Sequence, residues 1–304
     1  MRTVIGAVGR VLVTAGVLIL LFVAYQLWGT GIYQARAQSD LQNQFNRELA
    51  GRRTTTSTPS SAVGAPTSTT APTATTAPLD LPPVPAEGDP VGVIKIDKIG
   101  VDQVVVEGTT VPDLRKGPGH YTGSPMPGQI GNAAIAGHRT TYGAPFGDLD
   151  QLARGDRISV RTLTGTWMYV LIDDPFAVKP NQTEVLDPTT DPTTGQQLAT
   201  LTLTTCNPKY QATERLVVKA RLTDQQTPLP GTSQTRIIAG LSGGSEPRAP
   251  VYIAGVILAL VGGAWWYLFH RYPRWITWVA GVIPFLVALF VFYTYLERVL
   301  PNNY

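Results

Sequence analysis

The sequence predicts an all-β domain, a closed β-barrel of about eight strands with short helices, carried between transmembrane helices at both ends of the chain. Three observations lead there. The middle of the chain alternates apolar and polar residues in short runs punctuated by glycine, proline and aspartate. Long apolar runs occupy residues 11–28, 251–269 and 275–296. Between ends and middle lie stretches rich in Thr, Ser, Ala, Pro and Gly, with too little apolar surface to offset chain entropy.

Composition narrows the function classes. Twenty-four Lys and Arg against 21 Asp and Glu leave a net charge of +3. That excess is small and no basic stripe interleaves with aromatics, so nucleic acid is not an expected partner. The single cysteine, Cys206, excludes an internal disulfide and any multi-cysteine zinc site. No metal or other cofactor is expected. A lone cysteine is a reactive thiol, an intermolecular bridge or an inert core residue.

Taken in order, residues 1–38 form an N-terminal transmembrane anchor, with Arg2 and Arg10 ahead of the apolar run. The alternative is a cleaved signal peptide with a small-x-small site at Ala35-Arg36-Ala37, but its apolar core would exceed the usual length of about 7–15 residues. Residues 39–89 combine an amphipathic segment with a disordered linker. Leu41, Phe45 and Leu49 recur at i, i+4 and i+8, predicting a short helix that leaves the membrane. Residues 54–87 are low in complexity, and as an extended spacer they would reach on the order of 100 Å.

Residues 90–223 are the expected barrel. Strands are predicted over 91–96, 101–106, 132–136, 157–163, 199–206 and 215–222, with 167–178 broken at Asp173-Asp174-Pro175. Phe146, Leu149 and Leu152 predict one short helix. Residues 224–249 read as a second linker, 250–297 as a transmembrane hairpin and 298–304 as a tail. The hairpin connection, His270-Arg271-Tyr272-Pro273-Arg274, is flanked by tryptophans and tyrosines as an interfacial belt would be. Its two arginines place that turn in the cytoplasm, which gives three crossings with the barrel outside.

The chemistry gathers at strand ends. Thr202-Leu203-Thr204-Thr205-Cys206 closes one strand, Arg215 opens the next, and His138 ends the run Ala133-Ala134-Ile135-Ala136-Gly137. A thiol, an imidazole and a guanidinium suit a nucleophile, a proton carrier and an oxyanion partner. Arg139 and Arg157 read as solvated arginines at strand ends, and His120 in Gly117-Pro118-Gly119-His120-Tyr121 is the rival base. Asp173, Asp174, Asp187 and Asp191 read as turn residues.

Thr-Leu-Thr-Thr-Cys with the following Arg, Ala-Gly-His upstream, and Gly-Pro-Gly-His-Tyr before that resemble the sortases, most closely class E of actinobacteria. The resemblance covers roughly residues 90–222. It implies an eight-stranded barrel and a membrane-anchored cysteine transpeptidase in which Cys206, His138 and Arg215 are catalytic. It also implies a cell-membrane location with the barrel on the wall side. The substrates would be secreted proteins with a Leu-Ala-x-Thr-Gly or Leu-Pro-x-Thr-Gly sorting signal, cut between Thr and Gly and joined to a peptidoglycan precursor amine. Tyr121, Ala136, Thr204 and Thr205, with His120 in support, would contact that signal, and residues 181–197 would wall its groove. The resemblance favours a minority thiolate–imidazolium pair as the reactive form. Two alternatives stand beside this reading: a cysteine peptidase that releases the acyl group to water, and a non-catalytic wall-assembly module.

Overall fold

Residues 2–56, 81–209, 213–231, 249–271 and 275–299 are described by the computed structural model. Strand β1 (Pro90–Ile96) turns through Asp97–Ile99 into β2 (Val101–Glu107), with Gly100 in the left-handed conformation that the turn requires. A one-turn helix, α3 (Val111–Leu114), and β3 (Gly119–His120) lead to β4 (Gly131–Ala136). There follow β5 (Arg157–Thr162), β6 (Gly165–Leu171), β7 (Phe176–Val178), β8 (Ala199–Asn207) and β9 (Glu214–Leu222). The strands hydrogen-bond in the order β6-β5-β1-β2-β3-β4-β8-β9, and β9 pairs back onto β6. Eight strands thus close a mixed barrel, and β7 adds a ninth to the flank of β9. The expected break at residues 173–175 separates β6 from β7. Two-residue β3 is too short to show an alternation and was not expected.

Alternation sends one face of each strand into the barrel. Ile94, Ile96, Val105, Ile135, Val160, Tyr169, Leu201, Leu203 and Val218 fill it and are all buried. Phe146, Leu149 and Leu152 enter the same core. The helix expected there is only a 3-10 turn at Leu149–Gln151, enough to point the apolar side chains inward.

The N-terminal region runs as one helical rod: α1 (Arg2–Ala24), a π-helical turn (Tyr25–Gly29) and α2 (Thr30–Thr56). The expected boundary at residue 38 lies inside it. Leu41 and Phe45 are the buried stripe predicted, and they pack on Val93, Val104 and Val106 of β1 and β2. Gln38 clamps the contact: its Nε2 donates to the carbonyls of Val104 and Lys116, each at 2.9 Å, and its Oε1 accepts from Val104 N–H at 2.7 Å. The amphipathic helix therefore docks on the barrel rather than only leaving the membrane. Most of the expected spacer, 57–80, lies outside the described residues. The chain on either side of it is packed together, with Gln44 Nε2 donating to Asp89 at 3.2 Å.

After β9 the chain stays on the barrel as far as Leu229, whose N–H and C=O pair with Gly128 and Ile130. Residues 232–248 of the second linker, 272–274 of the hairpin turn and 300–304 of the tail lie outside the described residues. Helices α4 (Ala249–Arg271) and α5 (Trp275–Val299) pack along each other. Among the described residues one segment, Ala249–Leu268, is long and apolar enough to cross a membrane; Leu12–Ala24 and Gly281–Leu296 are shorter apolar helices.

Candidate active site

Strand register brings two of the three chemical groups together and sets the strand that leads to the third beside them. β4 and β8 are parallel, with Ala136 opposite Thr204, and Gly137 N–H continues the ladder to the Thr204 carbonyl at 3.1 Å. His138 follows two residues beyond the last paired residue of β4, and Cys206 two residues beyond Thr204 on β8. On the other side β8 and β9 are antiparallel, with Cys206 directly opposite Arg215. Side chains of directly opposed residues share a face of the sheet. Cys206 and Arg215 are thus cross-strand neighbours on one face, and His138 follows the end of the adjacent strand β4. His138, Cys206 and Arg215 are all buried, at 5%, 2% and 5% exposure.

Burial sets the protonation state. It pushes the Cys206 thiol up to about 11, against the pull of Arg215 and then Arg139 toward thiolate. The resting residue is a thiol at neutral pH.

Arg139 corrects an expectation. It is not solvated but buried, and its Nη1 donates to the Cys206 carbonyl at 2.9 Å and to Asn207 Oδ1 at 2.7 Å. Its Nη2 lies 3.2 Å from Asp150 Oδ1. The chain beyond β4 turns beneath the end of β8, so the residue after His138 braces the backbone of the cysteine. Only the adjacency to His138 hinted at this in the sequence. Arg157 is exposed at the start of β5, as expected.

Thr202, Thr204 and Cys206 share the outer face of β8, while Leu201, Leu203 and Thr205 face the core. Thr204 Oγ1 is 3.1 Å from the Tyr121 hydroxyl. Tyr121 packs with Ala134, Ala136, Val111, Leu114 and Leu186 in a second apolar cluster on that outer wall. Thr205 was expected beside the cleft, but the two-residue period turns it inward, where its hydroxyl donates to Gly137 O at 2.7 Å. His120 was expected within reach of the cleft. It is instead fully buried between Glu107 Oε2, 2.7 Å from Nδ1, and Ser124 Oγ and Pro125 O, 2.8 and 3.0 Å from Nε2.

The loop before β8 is tied to the wall by Asn132. Its Nδ2 donates to the carbonyls of Val185 and Asp187, and its Oδ1 accepts from the hydroxyls of Thr200 and Thr202. Asp191 accepts N–H bonds from Thr193 and Thr194, which hold its carboxyl below the usual range and mark it as a turn residue. The loop after His138 is strained: Tyr142 and Ala144 sit at φ 48° and 43°, a left-handed region that costs a non-glycine residue about 1–2 kcal/mol.

A family model described as a sortase domain matches residues 94–223, a span that contains His138, Cys206 and Arg215. Sortase SrtE1 of Streptomyces coelicolor is 29% identical over 229 residues, which is 72% of this chain and 57% of that protein. Sortase SrtE2 of the same organism is 28% identical over 231 residues, 72% of this chain and 81% of that one. The chain belongs to the sortase family. The solved structure of sortase E from Streptomyces avermitilis is 37% identical, covering 47% of this chain and 93% of that one with a TM-score of 0.40. These relatives are of the class that the motifs resemble. The sortase described here spans only part of the length of SrtE1, 57%.

Proposed function

We propose that this sortase is a membrane-anchored cysteine transpeptidase. The Cys206 thiol passes its proton to His138 as Sγ attacks the carbonyl carbon of Thr in a sorting signal. The Thr–Gly C–N bond breaks, His138 gives its proton to the departing Gly amine, and a thioester to Cys206 remains. An incoming wall-precursor amine then attacks that thioester, its proton passes to His138, and the cysteine sulfur leaves as the new amide forms. Arg215 presents its guanidinium to the carbonyl oxygen as negative charge develops there. The observation that supports this reading is the register pair of Cys206 and Arg215 across β8 and β9, beside the end of β4 from which His138 follows.

Tyr121, Ala136 and Thr204 line the wall that would receive the signal, and the loop held by Asn132 would form its far side. We favour Leu-Ala-x-Thr-Gly over Leu-Pro-x-Thr-Gly, because alanine has a backbone N–H for the Tyr121 hydroxyl to accept and proline has none. Leaving that hydroxyl badly matched costs roughly 1–3 kcal/mol.

The membrane setting is supported by apolar surface. Leu12, Leu20, Tyr252, Leu260 and Ile283 are each about two-thirds exposed. Such a surface suits lipid and would be a liability in water. Phe22 and Tyr25 of the N-terminal rod meet Tyr293 and Phe290 of α5 edge-on, and the Tyr293 hydroxyl donates to Leu18 O at 2.6 Å. That contact suits three crossings in which the outer halves of the first and third helices meet and the barrel lies outside.

The test uses the full chain in detergent or nanodiscs, because α2 is part of the barrel's packing. Each sorting-signal peptide is incubated with a small glycyl amine, and products are identified by mass. The expected result is an amide with the added amine and a thioester on Cys206 that is missing in Cys206→Ala. Hydrolysis product alone would favour the peptidase. Equal efficiency on both peptides, unchanged in Tyr121→Phe, would overturn the hydroxyl argument.

A further inference from the structure

We propose that the first two turns of α2 position the His138 imidazole, acting through Tyr142. The proposal rests on the reading of His138 as proton carrier. The Tyr142 ring lies against that imidazole, centroids 5.1 Å apart and planes tilted by 34°. Tyr142 is itself buried, and it is held in a left-handed conformation that persists only where the surroundings impose it.

Those surroundings come from a helix more than 100 residues earlier in the chain. Tyr142 N–H donates to Thr30 Oγ1 at 3.2 Å, and the Thr30 hydroxyl donates in turn to Gln26 O at 2.7 Å. One hydroxyl thus serves as acceptor for the loop and donor to its own helix, and Thr30 is 2% exposed. The Tyr33 ring meets Tyr142 edge-on, centroids 6.2 Å apart at 81°. Gln34 lies so close over Gly143 that a Cβ there would come within 2.7 Å of its Oε1, and Gly143 has a left-handed φ of 72°. On another side the Arg115 guanidinium stands 5.8 Å from the centre of the Tyr142 ring.

Gln38, Leu41 and Phe45 fix the helix to β1 and β2, and Gln34 Nε2 adds a hydrogen bond to Gln103 Oε1 of β2 at 2.5 Å. Thr30 and Tyr33 make a separate set of contacts, directed at the loop that carries the imidazole, and Gln34 also covers Gly143 of that loop. Proton transfer depends on geometry before it depends on acidity, so a loop that relaxes by an ångström slows the chemical step without weakening peptide binding. Thr30 also stands six residues beyond Ala24, about 9 Å along the rod. The apolar N-terminal segment and the site's histidine are thereby joined by one short helical lever.

The test compares Thr30→Val, Thr30→Ser, His138→Gln and the exposed-face control Gln42→Ala in the full chain in nanodiscs. Readouts are kcat and KM for the sorting peptide, and the imidazole NMR signals of histidine-labelled protein. The His138 signal is assigned as the one missing in His138→Gln. Valine keeps the shape of threonine but removes both hydrogen bonds. We expect Thr30→Val to lower kcat about tenfold with KM changed less than about twofold, and to move the His138 signal. Thr30→Ser should restore both, and Gln42→Ala should change neither. With His138→Gln inactive, wild-type kcat and an unmoved His138 signal in Thr30→Val overturn the positioning role. A loss in Thr30→Ser as large as in Thr30→Val also overturns it, because general packing would then be the cause. Full turnover in His138→Gln would instead remove the proton-carrier reading, and the proposal with it.

Discussion

Cys206 sits under opposed influences, desolvation favouring the thiol and the two arginines beside it favouring the thiolate. Desolvation wins, at about 11. Since thiolate is the reactive form, alkylation of the unliganded protein by iodoacetamide should climb about tenfold per pH unit from pH 7 to 10. A plateau reached below pH 9 would mean that a charged neighbour outweighs burial. Arg215 faces the cysteine across one strand pair. Arg215→Lys keeps the charge and loses the planar fork, so kcat should fall about 10²–10³-fold while the melting temperature hardly moves. A near-normal rate would shift the oxyanion role to other donors, backbone N–H groups among them.

Each element that shapes the site does so through a polar side chain inside an apolar contact. Asn132 on β4 is fully buried, and its four hydrogen bonds join the barrel wall to the loop before β8. Asn132→Ala would remove four hydrogen bonds, each worth about 0.5–1.5 kcal/mol net, while Thr200 and Thr202 keep longer bonds to Gly131 O and Val185 O. The expected outcome is a lower melting temperature and, on the proposed reading of this loop as a wall of the peptide groove, a peptide KM raised more than kcat is lowered. An unchanged KM would remove the loop from the groove. Gln38 performs the corresponding role on α2. Its apolar neighbours Leu41 and Phe45 were visible as a stripe, but a glutamine at helical spacing looks like any solvated residue until β2 is set beside it.

At the scale of the whole molecule, the barrel is gripped by the N-terminal rod, while α4 and α5 follow it in the chain. Three crossings would leave Met1 and the Arg271–Arg274 connection inside and both barrel and Tyr304 outside. Single cysteines introduced at Thr223, Tyr272 and Asn303 in a Cys206→Ala background report on this directly. With a membrane-impermeant reagent on intact cells, Thr223→Cys and Asn303→Cys should label and Tyr272→Cys should not. Labelling at 272, or protection at 303, would contradict the topology.

The sequence by itself determined the barrel and its chemical groups. Strand alternation, glycine turns and apolar runs act over a few residues, and the motifs around His138, Cys206 and Arg215 are local. Their adjacency was not visible, because register between β4 and β8 joins segments some 70 residues apart and is set by how the barrel closes. The same limit explains the errors at single residues. Arg139 and Thr205 look like surface positions in the chain, yet the first turns beneath β8 and the second falls on the inward phase of its strand. It explains α2 most of all. Amphipathic spacing predicted a helix with one apolar face, but which surface would cover that face is a matter of three-dimensional proximity. Only the folded chain brings Thr30 against Tyr142, 112 positions away, and so places the start of α2 beside the loop that carries the histidine.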